Sequence, residues 1–349
     1  MSKSVYSGTK AFAVRGALLN YSTFDELADS DSLDTFVSKL KGTAYGDAIS
    51  DLQRPYDAVR IELALQRRLA KVARSMITAT SNSKVLQAYY SKFLSNNLKN
   101  ILKGLALERS YEDISKFVDL YVEELVGTRD VIVRALASKR LDEAVSALRS
   151  TQYGEAAEAA VKAFQETKNF QVIDLYIDRA YYRNLLAAFL SERTDKRELR
   201  ELIAVDIDAF NVTSVLRSRE WGLQPGEAEG MIVEPEFRVP KEILVALARS
   251  ESSSESISQL ERTPYSGIVT QQDASNPSWI GVLEGNFEIL KLRAARRTFT
   301  WDIFSISEAI GILKLIEYEI RALAAVAFGI EQKIPRSEIM QSLSWFKPG

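Results

Sequence analysis

Asp174 and Asp178 stand four residues apart, so a helix through them sets both carboxylates on one face, the arrangement here that comes nearest to a metal-binding acidic pair. Arg179 adjoins them, and the spacing fits a solvated helix face better than a metal site. The other usual carriers of chemistry are missing, because the chain contains no histidine and no cysteine. That excludes Ser-His-Asp and Cys-His nucleophilic catalysis, ordinary zinc sites, the Glu-x-x-His di-iron motif and disulfides. Carboxylate, lysine or tyrosine catalysis stays open. A carboxylate enzyme of the isoprenoid type needs two acidic clusters facing one pocket, and the sequence offers only the Asp174/Asp178 pair. Neither a Gly-x-x-x-x-Gly-Lys loop nor a Gly-x-Gly-x-x-Gly fingerprint occurs, so no cofactor is expected.

The arginines are the stronger signal. They gather as Arg60, Arg67, Arg68 and Arg74, as Arg179 and Arg183, and as Arg293, Arg296 and Arg297. A guanidinium pairs bidentately with carboxylates, which suits contacts with a protein partner. The plainer reading is a solvated face with internal salt bridges. Basic and acidic residues balance, 45 against 47, so nothing favours a nucleic-acid backbone as main partner.

The elements that position these groups read as helices. No proline occurs between Pro55 and Pro225, and that stretch is rich in Ala, Leu, Glu, Lys and Arg. Near the C-terminus Ile312, Ile316, Ile320, Leu323 and Ala327 step by three or four and line one helix face. Gly222, Gly226 and Gly230, with Pro225, Pro235 and Pro240, mark a loop, inside which Ile232–Val239 admits a short extended piece. The run from Ser250 to Ser256 reads as a flexible linker, and Trp345 and Phe346 as a terminal apolar contact. The stretch 310–330 is broken by Lys314, Glu317, Glu319 and Arg321, so it does not span a bilayer, and the N-terminus lacks an apolar signal core. The expectation is an all-α cytoplasmic chain that meets a membrane only through protein.

Internal repetition organises the helices. LKGTAYGDAI from Leu40, LRSTQYGEAA from Leu148 and LERTPYSGIV from Leu260 share a Leu, a Thr and a Tyr in register. The tyrosines are Tyr45, Tyr153 and Tyr265. Each reads as a helix-turn element in which glycine permits a left-handed stop and the tyrosine ring is buried. Downstream, closing helices align at Asn97, Asn211 and Arg321. Three helical domains result, at residues 1–113, 114–232 and 233–349, and three domain-sized copies suggest a pseudo-three-fold body with a central funnel.

These segments resemble the C subunit of archaeal-type and bacterial V-type ATPases, whose eukaryotic counterpart is the d subunit of the vacuolar enzyme. The residues that carry the resemblance are Arg15, Leu18 and Leu19 in AFAVRGALL, Asp208 and Asn211 in VDIDAFNVTSVLRS, and Glu319, Arg321 and Gly329 in the C-terminal helix. Ala322 departs from the pattern, since asparagine is common there. The resemblance implies a non-catalytic funnel seated on the membrane proteolipid ring, receiving the central-stalk subunits of D and F type. It implies torque transfer between ATP turnover and proton or sodium movement. The arginines that would meet partners are Arg67, Arg68, Arg179, Arg183, Arg293, Arg296 and Arg297. The alternative readings are a generic helical scaffold and the carboxylate enzyme.

Overall fold

A computed structural model of the chain describes residues 3–192, 197–301 and 304–343, and every regular element within them is a helix. Helices α1 (Lys3–Gly16), α2 (Tyr21–Ala28), α3 (Leu33–Leu40), α4 (Gly46–Ile49) and α5 (Ala58–Ala79) lead to α6 (Lys84–Tyr90) and α7 (Lys92–Ala106). Next come α8 (Tyr111–Ser115), α9 (Leu120–Val126), α10 (Arg129–Leu136), α11 (Leu141–Leu148), α12 (Gly154–Thr167) and α13 (Gln171–Ser191). The remainder is α14 (Arg197–Glu220), α15 (Pro225–Glu229), α16 (Lys241–Arg249), α17 (Ser253–Leu260), a 3-10 turn (Gln271–Ser275), α18 (Trp279–Trp301), α19 (Ile306–Glu331) and α20 (Arg336–Ser342). Trp345 and Phe346 lie outside the described residues.

Proline does what the sequence implies. The proline-free stretch forms helices from α5 to α14, and Pro225 opens α15, where a missing N–H costs nothing. Pro240 and Pro335 cap the starts of α16 and α20. Two sequence expectations fail locally. The serine run is a helix start, not a linker: the Ser252 hydroxyl accepts from Glu255 N–H at 3.2 Å, and Ser256 is buried inside α17. A serine followed three residues later by glutamate is a capping pattern, and it outweighs the polar composition. Nor is Ile232–Val239 a strand. Ile232, Val233 and Val239 are buried, and a side chain rather than a neighbouring strand pairs with the Val233 backbone.

The chain divides into two compact units, one drawn from Met1–Leu86, Asp119–Gly127 and Ala295–Gly349, the other from Gln87–Val118 and Thr128–Ala294. In the first unit α19 is the central element, with α1, α2, α3 and α5 packed on it. The apolar face Ile312, Ile316, Ile320, Leu323 and Ala327 is buried, and so are Ile310, Leu313, Ala322 and Val326 on its other sides. The first half of α19 is covered on nearly every side and so carries apolar residues all round, while Arg321 and Phe328 leave an exposed stripe on its second half.

In the second unit α7 packs against α10, α11 and α13, and α14 packs against α13, α15 and α16. One core joins Val212, Val215 and Leu216 of α14 to Leu244 and Leu247 of α16, Leu260 of α17, and Leu283 and Phe287 of α18. Packing therefore groups a closing helix with the next tyrosine turn along the chain: α7 with the Tyr153 turn, and α14 with the Tyr265 turn. The last closing helix, α19, takes the first turn, that of Tyr45.

Candidate functional site

The three tyrosine turns have the same local chemistry. Thr43, Thr151 and Thr263 each donate a hydroxyl hydrogen bond of 2.7 Å to the carbonyl of Leu40, Leu148 or Leu260. Each threonine oxygen then accepts from the N–H of the tyrosine two residues on, at 3.1, 3.2 and 3.1 Å. The threonine thus satisfies a leucine carbonyl at the end of α3, α11 or α17 and turns the chain, which places each tyrosine ring in the core.

Glycine has a different task from the one its usual role suggests. Gly46 and Gly154 are helical, not left-handed. A Cβ on Gly46 would sit 2.5 Å from the Lys41 carbonyl oxygen, and one on Gly154 would sit 2.8 Å from the Arg149 oxygen. Close backbone approach, not φ, requires them. The third copy places Ser266 after its tyrosine and has Gly267 at φ 81° instead. Gly154→Ala should cost about 2 kcal/mol in chemical denaturation, since backbone rather than a flexible side chain must yield. A cost below about 0.5 kcal/mol would mean that the turn relaxes freely.

The tyrosine hydroxyls show what the closing helices supply. Tyr45 Oη donates to Glu319 Oε2 at 2.6 Å, and Tyr265 Oη donates to Asp208 Oδ2 at 2.7 Å. The second oxygen of each carboxylate accepts a backbone N–H just ahead of the next short helix. Leu19 N–H reaches Glu319 Oε1 at 2.5 Å, and Arg238 N–H reaches Asp208 Oδ1 at 3.2 Å. This pairing corrects the register of the closing helices by one residue. Glu319 corresponds to Asp208, so Ala322, not Arg321, corresponds to Asn211 and Asn97. Leu94 then occupies the carboxylate position of α7, and Tyr153 Oη reaches the Ser91 carbonyl instead, at 3.4 Å.

Burial dominates the electrostatics here. It pushes the Glu319 carboxyl up to about 7, against the opposing hydrogen bonds from Tyr45 and Leu19 and the nearby Arg68 charge. Burial likewise raises Asp208, against hydrogen bonds from Tyr265 and the Arg238 backbone. Both tyrosines are raised too, by burial and by the facing carboxylate. Tyr265→Phe removes a donor to a buried carboxylate and should cost about 2 kcal/mol in denaturant titrations. A loss below about 0.5 kcal/mol would show that the carboxylate finds another donor.

Asn211, fully buried in α14, clamps the loop ahead of α16. Its Nδ2 donates to the Val233 carbonyl at 3.0 Å, and Val233 N–H donates to its Oδ1 at 2.8 Å. Asn97 is buried in α7.

Asp174 and Asp178 are turned to a structural use. Lys103 Nζ lies 2.9 Å from Asp174, and Lys99 Nζ lies 2.7 Å from Asp178. Two lysines four apart on α7 meet two aspartates four apart on α13, a match of spacings visible in the sequence once the helices are known to pack. Among the described residues no three His, Cys, Asp or Glu side chains gather as metal ligands.

The seven arginines separate into different roles. Arg68 turns inward: its guanidinium stacks 4.9 Å from the Tyr45 ring centroid and donates to the Ala44 carbonyl at 2.6 Å. Arg67 lies over the Tyr121 ring at 5.6 Å. Arg293 and Arg297 are exposed on α18, and Arg296 between them is half-buried. Arg321 is exposed beside the Tyr318 ring. Arg179 and Arg183 share a cavity of about 530 Å³, lined by α12, α13 and Glu234.

Comparison with known proteins bears on the whole chain. The model of the ATP synthase (C/AC39) subunit family matches residues 9–342. The chain is 23% identical to the C subunit of the A-type ATP synthase of Methanocaldococcus jannaschii, an alignment covering 97% of this chain and 85% of that protein. It is 27% identical to the same subunit of a Desulfurococcus species, over 96% of this chain and 89% of that protein. With the Thermococcus kodakarensis subunit the identity is 26%, over 92% and 85%. No described helix is long and apolar enough to cross a membrane. With a family match running through all three tyrosine turns and all three closing helices, the chain belongs to the ATP synthase (C/AC39) subunit family.

Proposed function

We propose that this chain is a non-catalytic coupling subunit of a rotary A/V-type ATPase, joining the central stalk to the membrane proteolipid ring on the cytoplasmic face. In this reading the segments 1–113, 114–232 and 233–349 are three copies around an axis, and their funnel receives stalk subunits of D and F type. The observation that carries the reading is the family match from residue 9 to 342, with relatives named as the C subunit of A-type ATP synthases. The buried polar junctions support it. A torque-bearing part must not shear at its helix contacts, and fully satisfied buried hydrogen bonds fix such contacts in one register. Arg67, Arg293, Arg296 and Arg297 remain candidates for partner contact. The test is co-elution of the purified chain with the stalk subunits of the same ATPase at physiological salt, without detergent. A one-to-one complex is expected. A folded, helical chain that fails to associate at micromolar concentration would overturn the coupling role.

A further inference from the structure

The second copy differs from the others in the helix that succeeds its tyrosine. After Tyr45 the helix α4 runs 4 residues, whereas after Tyr153 the helix α12 runs 14. After Tyr265 only turns and the 3-10 segment precede α18. The long α12 lies along α13, and the cavity opens on their shared face. Ala156 and Ala159 of α12, with Ala180 and Ala187 of α13, form its wall, so another backbone can approach closely. Leu190, 57% exposed, offers an apolar contact at one end.

Two donors of this groove lack acceptors among the described residues. Arg179 and Arg183 stand four apart on α13, where like charges repel, and neither forms an ion pair among the described residues. Arg179 is half-buried; its Nε is sealed from solvent and has no hydrogen-bond partner. Asn184 Nδ2, one residue beyond Arg183, is sealed and unpartnered in the same way. The two carboxylates of the groove leave them so: Glu234 pairs with Lys241, and Glu155 is exposed. Burial first, then the Arg183 charge, lowers the Arg179 guanidinium from its ordinary value, against weaker opposing effects of Tyr176 and Glu234. Arg183 is exposed, but a guanidinium held partly dry without an acceptor, as at Arg179, is unfavourable in the free chain, and a partner carboxylate on its open nitrogens relieves that cost.

We propose that the groove between α12 and α13 seats an acidic helical segment of a central-stalk subunit, whose carboxylates pair with Arg179 and Arg183 while its backbone passes over the alanines. This rests on the coupling role proposed above. A helix suits the shape because small residues on both walls permit close helix approach, and carboxylates suit the forked donors of arginine.

The test uses the full chain and the stalk subunits of its own ATPase. Arg179→Met/Arg183→Met should weaken stalk binding at least tenfold and flatten its salt dependence. The single variant Arg179→Met should leave the melting temperature of the free chain unchanged or raised. A photo-crosslinking residue at the exposed, groove-lining Gln152 should capture a stalk segment that contains Asp or Glu. Unchanged affinity in the double variant, with the wild type still binding, would overturn the groove while leaving the coupling role intact. A lowered melting temperature for Arg179→Met would assign that arginine an internal partner and overturn the proposal. Absence of wild-type binding defeats the coupling role, and the groove with it.

Discussion

Asn211→Leu should destabilise the second unit by about 4 kcal/mol, which lowers its melting temperature by roughly 10 °C. The side chain is fully buried and exchanges two hydrogen bonds, of 3.0 and 2.8 Å, with the backbone of Val233. Leucine matches asparagine closely in size but leaves the Val233 N–H and carbonyl in an apolar core without partners. Each such group costs about 1–3 kcal/mol. The loop it fixes leads from α15 to α16 and carries Glu234, which lines the α12–α13 groove. Urea unfolding followed by circular dichroism, fitted for the unit that contains α14, measures the loss. A change below about 1 kcal/mol would show that the loop finds other partners and that the clamp is dispensable.

The stability of the wild-type chain should fall by about 3 kcal/mol more than that of Glu319→Gln as pH rises from about 4.5 to about 7. Burial raises the folded-state Glu319 carboxyl to about 7 from an ordinary value of 4.5. Between those values the folded chain holds a proton that the unfolded chain has released. The stabilising contribution is therefore complete below about 4.5 and is lost as pH climbs through about 7. Three neighbours face the carboxyl: the Tyr45 hydroxyl, the Leu19 N–H and the Arg68 charge, all of which favour the ionised form without overcoming burial. Glutamine does not titrate. It keeps an oxygen for Leu19 and offers its amide to the tyrosine oxygen. Denaturant midpoints at pH 5 and pH 8 for both proteins give the difference, in which all other titrating groups cancel. Parallel profiles would mean that Glu319 is ionised throughout and that burial is offset in full.

How far each of these is legible in the sequence depends on the reach of the interaction. The all-α class, the helix limits near prolines and the threefold tyrosine pattern all rest on contacts between near neighbours in the chain. Thr43, Thr151 and Thr263 bond to a leucine three before and a tyrosine two after, so identical spacing produces identical turns. The serine run misleads for a related reason: its composition resembles a linker, but one serine–glutamate spacing makes it a cap.

Tertiary structure alone decided the rest. Glu319 meets Tyr45 across 274 residues and Leu19 across 300, so nothing local to α19 names its partners. Nor could spacing say which arginines turn inward. Arg67 and Arg68 are neighbours on one helix, yet one stacks on Tyr121 and the other on Tyr45. Gly46 and Gly154 are legible as glycines, but their reason is a backbone carbonyl five residues earlier, brought close by the turn. The sequence by itself determined the all-α class and the recurring threonine–tyrosine turn, because helix periodicity and turn chemistry are local. Only the folded chain decided which closing helix serves which copy and where two arginines stay without a carboxylate, because burial depends on every element that packs around a side chain.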